Sequence, residues 1–441
     1  MTLRFGTDGV RGVANRELTP ELAIALGRAA ARTIDGDTFA LARDTRASGP
    51  MLQAALAAGL AAEGMQVLDL GVLPTPALAF VSETSSWPAA MVSASHNPWS
   101  DNGVKFFVAG GRKLTDEQEE RLEAALGREG STGSDVGEIH APPGRRFAES
   151  YINHLVMSLQ GRRLDGMRLV LDCASGAAYD VAPSVYTGLG AEVLLVDGPP
   201  TGTNINDGCG STHPERLQQA VVEHGAHLGL AFDGDADRVV AVDHDGRLVD
   251  GDHLIALCAL DLRERGLLHG DTVVVTVMTN LGFRLAMAEH GIAVHETQVG
   301  DRSVLEALER GGWSLGGEQS GHVIFRDLAT TGDGLLTGLQ LADLVCRSGK
   351  PLAALANEAM TRVPQVLRNV RVADRGALGG VQPDIAAVEA ELGDSGRVLV
   401  RPSGTEPVVR VMVEALDAAT AEAAADRLVA AVRRTCGAVA P

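Results

Sequence analysis

Apolar residues fall in short runs along this chain, and three stretches repeat one order: an apolar run, a brief polar turn, then a helix-forming segment. They are TFALARDTRASGPMLQAALAAGLAAEG (38–64), RLVLDCASGAAYDVAPSVYTGLG (168–190) and TVVVTVMTNLGFRLAMAEHG (272–291). A short continuous apolar run predicts a buried strand, and the helix after it supplies a layer over the sheet. Each helix leads into another candidate strand, MQVLDL, AEVLLV or IAVHET. The pattern therefore predicts an α/β protein, read as three related units, with one large doubly wound sheet as the alternative.

HAPPGRRFAES (140–150) is rich in proline and charge and marks a first boundary, after which YINHLVMSLQGRRL reads as a helix. The second unit closes near VDGDHL, where another helix begins, and the third extends past LATTGDGLLTGLQLADLVCRSG. In TTGDG, Asp333 is expected to cap the following helix. From about Thr361 the periodicity changes to VLRNVRVA, an Ala/Glu helix, RVLVRPSG, VVRVMVEA and a final Ala-rich helix. Leu428, Val429 and Val432 give that last helix an apolar stripe, with Asp426, Arg427, Arg433 and Arg434 on its solvated side. The expected division is 1–150, 151–252, 253–362 and a smaller α+β segment, 363–441.

Composition narrows the function. The chain has 441 residues, 45% apolar and 22% charged, as expected of a protein that buries several cores. Its formal charge of −19 argues against a nucleic-acid surface, which needs clustered Lys and Arg, but not against a small phosphorylated ligand. No stretch is long and apolar enough to predict a membrane span, and MTLRFGTDGVRG does not read as a signal peptide. Five scattered cysteines without a Cys-x-x-Cys pair fit reduced thiols in the cytoplasm.

Four stretches carry candidate chemistry. In MVSASHNPWSDNGVKFF (91–107), Ser95 precedes His96, Asn97 and Pro98, and Lys105 lies beyond. This is either a sharp nucleophile loop or an Asn-Pro turn between strands. FDGDADR (232–238) follows an apolar run and alternates Asp233, Asp235 and Asp237, with Arg238 closing it. Gly234 and Ala236 let the chain bend, so three carboxylates can converge on a hard cation such as Mg²⁺, and the competing reading is a solvated acidic turn. RPSGTEPVVR (401–410) sets Arg401, Ser403, Gly404, Thr405 and Arg410 around a turn, suited to gripping a phosphate or simply a surface turn. GGEQSGH (316–322) offers Glu318, Ser320 and His322 to sugar hydroxyls, or is a Gly-rich turn.

With FGTDGVRG (5–12), the motifs SASHNP, DGDADR, GGEQSGH and RPSGTEP resemble the α-D-phosphohexomutase superfamily, and their order spans almost the whole chain. FGTDGVRG, the Gln of GEQSGH, TNLGF and QVGDR resemble its bacterial phosphoglucosamine branch. The resemblance implies four domains, three related α/β domains and a smaller C-terminal one, around a central cleft. It implies that Ser95 is an active phosphoserine and that Ser95, Asp233, Asp235 and Asp237 hold Mg²⁺. Arg11, Lys105 and Arg238 would flank the transferred phosphate, His96 would shape the loop, and His322 or Lys105 would assist proton transfer. Glu318 and Ser320 would bind the sugar, and the residues of 401–410 would hold the distal phosphate. The implied reaction interconverts glucosamine 6-phosphate and glucosamine 1-phosphate through a hexosamine 1,6-bisphosphate. The implied partners are a small sugar phosphate and, at most, a second copy of the chain in a homodimer. A phosphomannomutase/phosphoglucomutase and a metal-dependent sugar phosphatase are the alternatives.

Overall fold

In the computed structural model of the chain, which describes residues 9–127, 135–141, 145–403 and 408–437, the apolar runs become strands of four separate sheets. The first contains β1 (Val10–Val13), β2 (Thr38–Arg43), β3 (Gln66–Val72), β4 (Ala89–Val92), β5 (Asp101–Val108), β6 (Arg112–Lys113) and β7 (Ile139–His140). Their order is β1-β5-β4-β2-β3-β7, with β6 beside β5. The four strands β4, β2, β3 and β7 are parallel, and β5 is antiparallel to β1 and β4. Helices α1 (Pro20–Thr33) and α2 (Gly49–Ala61) share a core with this sheet, where Leu26, Leu56 and Leu60 are buried with Phe39, Leu41 and Val104. Each such Leu contributes about 2 kcal/mol relative to exposure.

The second sheet joins β8 (Arg168–Asp172), β9 (Glu192–Val196), β10 (Leu228–Phe232), β11 (Val239–Asp243) and β12 (Leu248–Val249) in the order β12-β11-β10-β8-β9. The third joins β13 (Thr272–Thr276), β14 (Ala293–Thr297), β15 (Leu315–Gly317) and β16 (Val323–Phe325) in the order β14-β13-β15-β16. One device recurs in all three sheets. A strand of the parallel part, β4, β10 or β15, turns back into an antiparallel neighbour, β5, β11 or β16. SASHNP, DGDADR and EQSGH occupy these three equivalent turns. Separate sheets with a shared plan replace the single doubly wound sheet of the alternative reading.

The turns touch. A Cβ on Gly234 would lie 2.6 Å from the Ser95 carbonyl oxygen, and one on Gly321 would lie 2.0 Å from that of Val239. Only glycine permits either approach, and Gly321 also has φ +90°.

By their contacts, residues up to 278 form a compact unit with 292–359, and residues 279–291 form another with those from 360 onward. The second unit contains β17 (Gln365–Arg371), β18 (Gly396–Pro402) and β19 (Val408–Ala415), antiparallel in the order β17-β19-β18. The helix Ala418–Cys436 buries Leu428 and Val432 against Val409, Val411 and Val413. The helix Leu281–Glu289 also belongs to this unit. At its start, Asn280 donates from Nδ2 to the Val363 carbonyl (2.9 Å) and to Glu414 (3.1 Å), and the Leu281 amide donates to Glu414 (3.0 Å). Glu414 is fully buried and also accepts from Arg397 (2.9 Å) and Gln365 (2.7 Å). Among the described residues, no helix is long and apolar enough to cross a membrane.

Candidate active site

β4 ends at Val92, and the turn after it is held from its first residues. The Ser93 hydroxyl donates to Asp44 (2.6 Å) and accepts the Ser95 amide (3.0 Å). Ser95 has a left-handed backbone (φ +53°), and its Oγ donates to Asp233 Oδ2 at 2.6 Å. Asn97 closes the turn by donating to Asp101 (3.0 Å). The stretch is thus an Asn-Pro turn that also delivers Ser95 to the acidic loop.

That loop, 233–238, is not solvated: Asp233, Asp235 and Asp237 are all buried. One carboxylate oxygen from each lies within 4.8 Å of the other two. Asp233 also accepts the Arg238 amide (3.2 Å). Asp235 Oδ2 accepts from Thr75 Oγ1 (2.7 Å) and Lys105 Nζ (2.8 Å). Burial drives the Asp233 carboxyl well above the usual range, and the charges of Asp237 and Asp235 add to the rise. Burial also raises Asp237, but Lys105, His322 and Arg238 outweigh it and hold that carboxyl well below the usual range. Asp235 Oδ1 and Asp237 Oδ1 are buried and accept no hydrogen bond among the described residues. Converging, desolvated oxygen ligands with two lone-pair donors unused fit a hard divalent cation such as Mg²⁺.

The other predicted groups divide by position. Arg11 lies on β1 opposite Gly103 of β5. Arg238 Nη1 donates to His96 Nδ1 (3.2 Å), which also lies 3.4 Å from Ser95 Oγ. Burial and the positive charges of Arg238 and Arg11 push the His96 pKa down to about 4, so its imidazole is neutral near pH 7. His322 is buried with Nδ1 3.7 Å from Asp237, and its Nε2 accepts the Gly332 amide at 3.0 Å. Burial lowers the His322 pKa and the carboxylates of Asp237 and Asp301 raise it more. A second ring proton would nevertheless have to displace the Gly332 amide, so we assign one proton, on Nδ1 facing Asp237.

In the 318–322 turn, Glu318 accepts the Gly300 amide (3.1 Å) and Ser320 is exposed. Gln319 does not share that exposure: its Nε2 donates to buried Asp252 at 3.0 Å. Arg401 and Arg410 are directly paired across β18 and β19, and burial together with the Arg410 charge lowers the Arg401 pKa. Like charges placed opposite each other cost stability unless an anion joins them. The Ser403 amide donates to the Val408 carbonyl (2.9 Å). Gly404 and Thr405 lie outside the described residues.

Sequence reading missed Asp44, Arg46, Thr75 and Asn206, which surround Ser95 and the acidic loop. A signal was available for two of them, since DTR (44–46) directly follows the buried strand β2 and so opens at the same sheet edge as SASHNP.

The same motifs are matched by known proteins. Residues 2–132, 149–246 and 250–363 match the phosphoglucomutase/phosphomannomutase alpha/beta/alpha domains I, II and III, and residues 367–431 match the C-terminal domain of that family. The phosphoglucosamine mutase of Thermobifida fusca is 54% identical over 98% of both chains. That of Rhodococcus opacus is 53% identical over 97% of this chain and 98% of its own. Among solved structures, a phosphoglucomutase/phosphomannomutase family protein of Burkholderia thailandensis superposes with a TM-score of 0.82 at 27% identity, covering 98% of each chain. An Aspergillus fumigatus N-acetylphosphoglucosamine mutase, solved with GlcNAc-6P and magnesium, shares the fold at 19% identity and a TM-score of 0.72, covering 99% of this chain and 96% of its own. With all four domains matched in order and over half of the positions shared along nearly the full length, the chain belongs to the phosphoglucomutase/phosphomannomutase family, the α-D-phosphohexomutases, and within it to the phosphoglucosamine mutases.

Proposed function

We propose that this mutase interconverts glucosamine 6-phosphate and glucosamine 1-phosphate by relaying a phosphoryl group through Ser95. The observation that carries the reading is the 2.6 Å contact of Ser95 Oγ with Asp233 at the edge of the buried acidic trio. In the first half-reaction the phosphorus–Oγ bond of phospho-Ser95 breaks as phosphorus bonds to the free hydroxyl oxygen of the sugar. The sugar hydroxyl gives up its proton, Ser95 regains one, and a 1,6-bisphosphate forms. The bisphosphate turns over and the second half-reaction returns its other phosphoryl group to Ser95. Ser95, Asp233, Asp235 and Asp237 would hold Mg²⁺, which when bound neutralises charge on the phosphoryl oxygens.

The remaining roles belong to the same reading. Arg238 and Arg11 supply fixed positive charge beside Ser95, and neutral His96 is an acceptor that orients Arg238. Lys105, against Asp235, is assigned the proton transfer, while His322 steadies Asp237. Arg401, Ser403, Gly404, Thr405 and Arg410 are assigned the phosphate that is not being transferred, and Glu318 and Ser320 the sugar hydroxyls. Because Gln319 is committed to Asp252, the preference for an amino sugar rests on the relatives rather than on that side chain. We read the enzyme as cytoplasmic, and light scattering distinguishes a monomer from a homodimer.

The test compares wild type and Ser95→Ala on glucosamine 6-phosphate, glucose 6-phosphate and mannose 6-phosphate, with Mg²⁺ and a hexose bisphosphate. Wild type is expected to favour the amino sugar without releasing stoichiometric phosphate, and Ser95→Ala to be inactive. Preference for a neutral hexose would indicate a phosphomannomutase/phosphoglucomutase, and phosphate release a phosphatase. Mutase activity in Ser95→Ala would sink the relay itself.

A further inference from the structure

The Ser95 turn is gripped from two sides by groups that hydrogen-bond to its backbone carbonyls rather than to Ser95 Oγ or the acidic trio. From the first sheet comes Arg46, whose side chain is fully buried and paired with Asp44 (2.8 Å). Its Nη2 donates to the carbonyls of Ser95 and Asn97, both at 2.9 Å. Its Nη1 donates to those of Asp101 (3.0 Å) and Pro98. A guanidinium has five N–H donors, and all five are used. From the second α/β segment comes Asn206, whose Nδ2 donates to the same two carbonyls, Ser95 (2.9 Å) and Asn97 (3.0 Å). Asn206 is itself left-handed (φ +57°), and its amide is tied to the Ala174 carbonyl at 3.0 Å.

This doubled grip matters because Ser95 stands in a backbone conformation that non-glycine residues seldom adopt and that persists only where the surroundings impose it. Rotating the Ser95–Asn97 peptides would swing Oγ away from Asp233. Arg46 belongs to the same segment as the serine and can set only the shape of the turn. Asn206 is anchored in the segment that carries Asp233, Asp235 and Asp237. It can therefore set the distance between the turn and the acidic loop.

We infer that Asn206 is a positioning residue for phosphoryl transfer, holding the serine turn in register with the acidic loop through the Ser95 and Asn97 carbonyls. The inference rests on Ser95 being the phosphoryl carrier. Misplacing aligned groups by about an ångström costs on the order of a hundredfold in rate, and Asn206 is not among the residues assigned to the distal phosphate. Loss of the grip should therefore act on kcat more than on KM.

Asn206→Gly removes the amide while accepting the positive φ, and Asn206→Asp keeps the shape but replaces the donor with an acceptor. Steady-state kinetics on glucosamine 6-phosphate should show kcat down ten- to a hundredfold in both variants, with KM within about threefold of wild type. Enzyme labelled at Ser95 with radioactive phosphate should pass the label to added sugar phosphate more slowly by the same factor. A merely structural role would lower the thermal midpoint and leave the transfer rate of the folded fraction unchanged. That result, or near-wild-type kcat in both variants, would overturn the inference. Ser95→Ala run in parallel separates the two ideas: if it retains activity the phosphoserine reading fails, whereas an inactive Ser95→Ala beside a fully active Asn206→Gly refutes only the positioning role.

Discussion

Asp235 shows what a single side chain contributes to the site. Its Oδ2 is satisfied by Thr75 and Lys105, while Oδ1 is buried and accepts no hydrogen bond among the described residues. Asp235→Asn keeps the shape and one acceptor oxygen but removes a negative charge from the trio. Turnover should fall at least about a hundredfold and need more Mg²⁺, while the urea midpoint changes little, and chelated wild type should regain activity on adding Mg²⁺. Undiminished turnover of the metal-free enzyme would refute the assignment. Asp333 shows the opposite use of a carboxyl. As its place in TTGDG suggested, it caps the helix Gly334–Ser348, accepting the Leu336 amide (2.9 Å) and the Tyr151 hydroxyl (2.7 Å). Burial nevertheless pushes its pKa up to about 6, against 3.8 for an ordinary Asp. The folded state then binds the extra proton between pH 4 and 6, so this carboxyl's contribution to stability is greatest below pH 4 and is lost as pH rises through 6. At about 1.4 kcal/mol per pH unit the loss is roughly 3 kcal/mol. Asp333→Asn should flatten that part of the profile when unfolding free energy is compared from pH 4 to 8. The charged motifs were legible in the sequence because three alternating Asp after an apolar run have few uses. Asn206, by contrast, sits among ordinary turn residues in TGTNIND, and its role depends on a neighbour more than a hundred positions away.

At the scale of elements, the repeated strand–turn–helix order was readable because continuous apolar runs allow little besides buried strands. What periodicity does not reveal is that each motif falls at the turn from the parallel part of a sheet to its antiparallel strand, since both strands read as apolar. The contact between turns is fixed by absent side chains. Gly321→Ala sets a Cβ 2.0 Å from the Val239 carbonyl oxygen in a left-handed backbone and should cost about 2–4 kcal/mol in urea denaturation. Gly234→Ala has no such backbone strain, but its Cβ would press on the Ser95 carbonyl oxygen at 2.6 Å. It should therefore lose turnover by tenfold or more with a smaller loss of stability. Equal stability losses in the two variants would contradict this account.

For the whole molecule, the pattern of the sequence changes near Thr361 and the second unit takes in the residues from 360 onward, yet nothing in TNLGFRLAMAEHG shows that 279–291 packs with them. The helix is apolar enough to lie on either body, and the deciding contact is buried Glu414, which collects Asn280, the Leu281 amide, Arg397 and Gln365. A fragment of residues 360–441 leaves Glu414 without two of these donors. It should melt less cooperatively than the same fragment joined to 279–291, with a difference of roughly 1.5–3 kcal/mol per lost charged hydrogen bond. Circular dichroism melts of the two fragments check this, and identical melts would refute it. The interleaved chain also bears on inheritance. A recombinant with one crossover near position 360 takes Glu414 from one parent and Asn280 from the other, so it splits a packed core that looks like a detachable tail. Exchanging that core intact needs two further breakpoints, at 278/279 and 291/292, and lineages that shuffle segments at single points should inherit it whole only by copying from before 279 to the end.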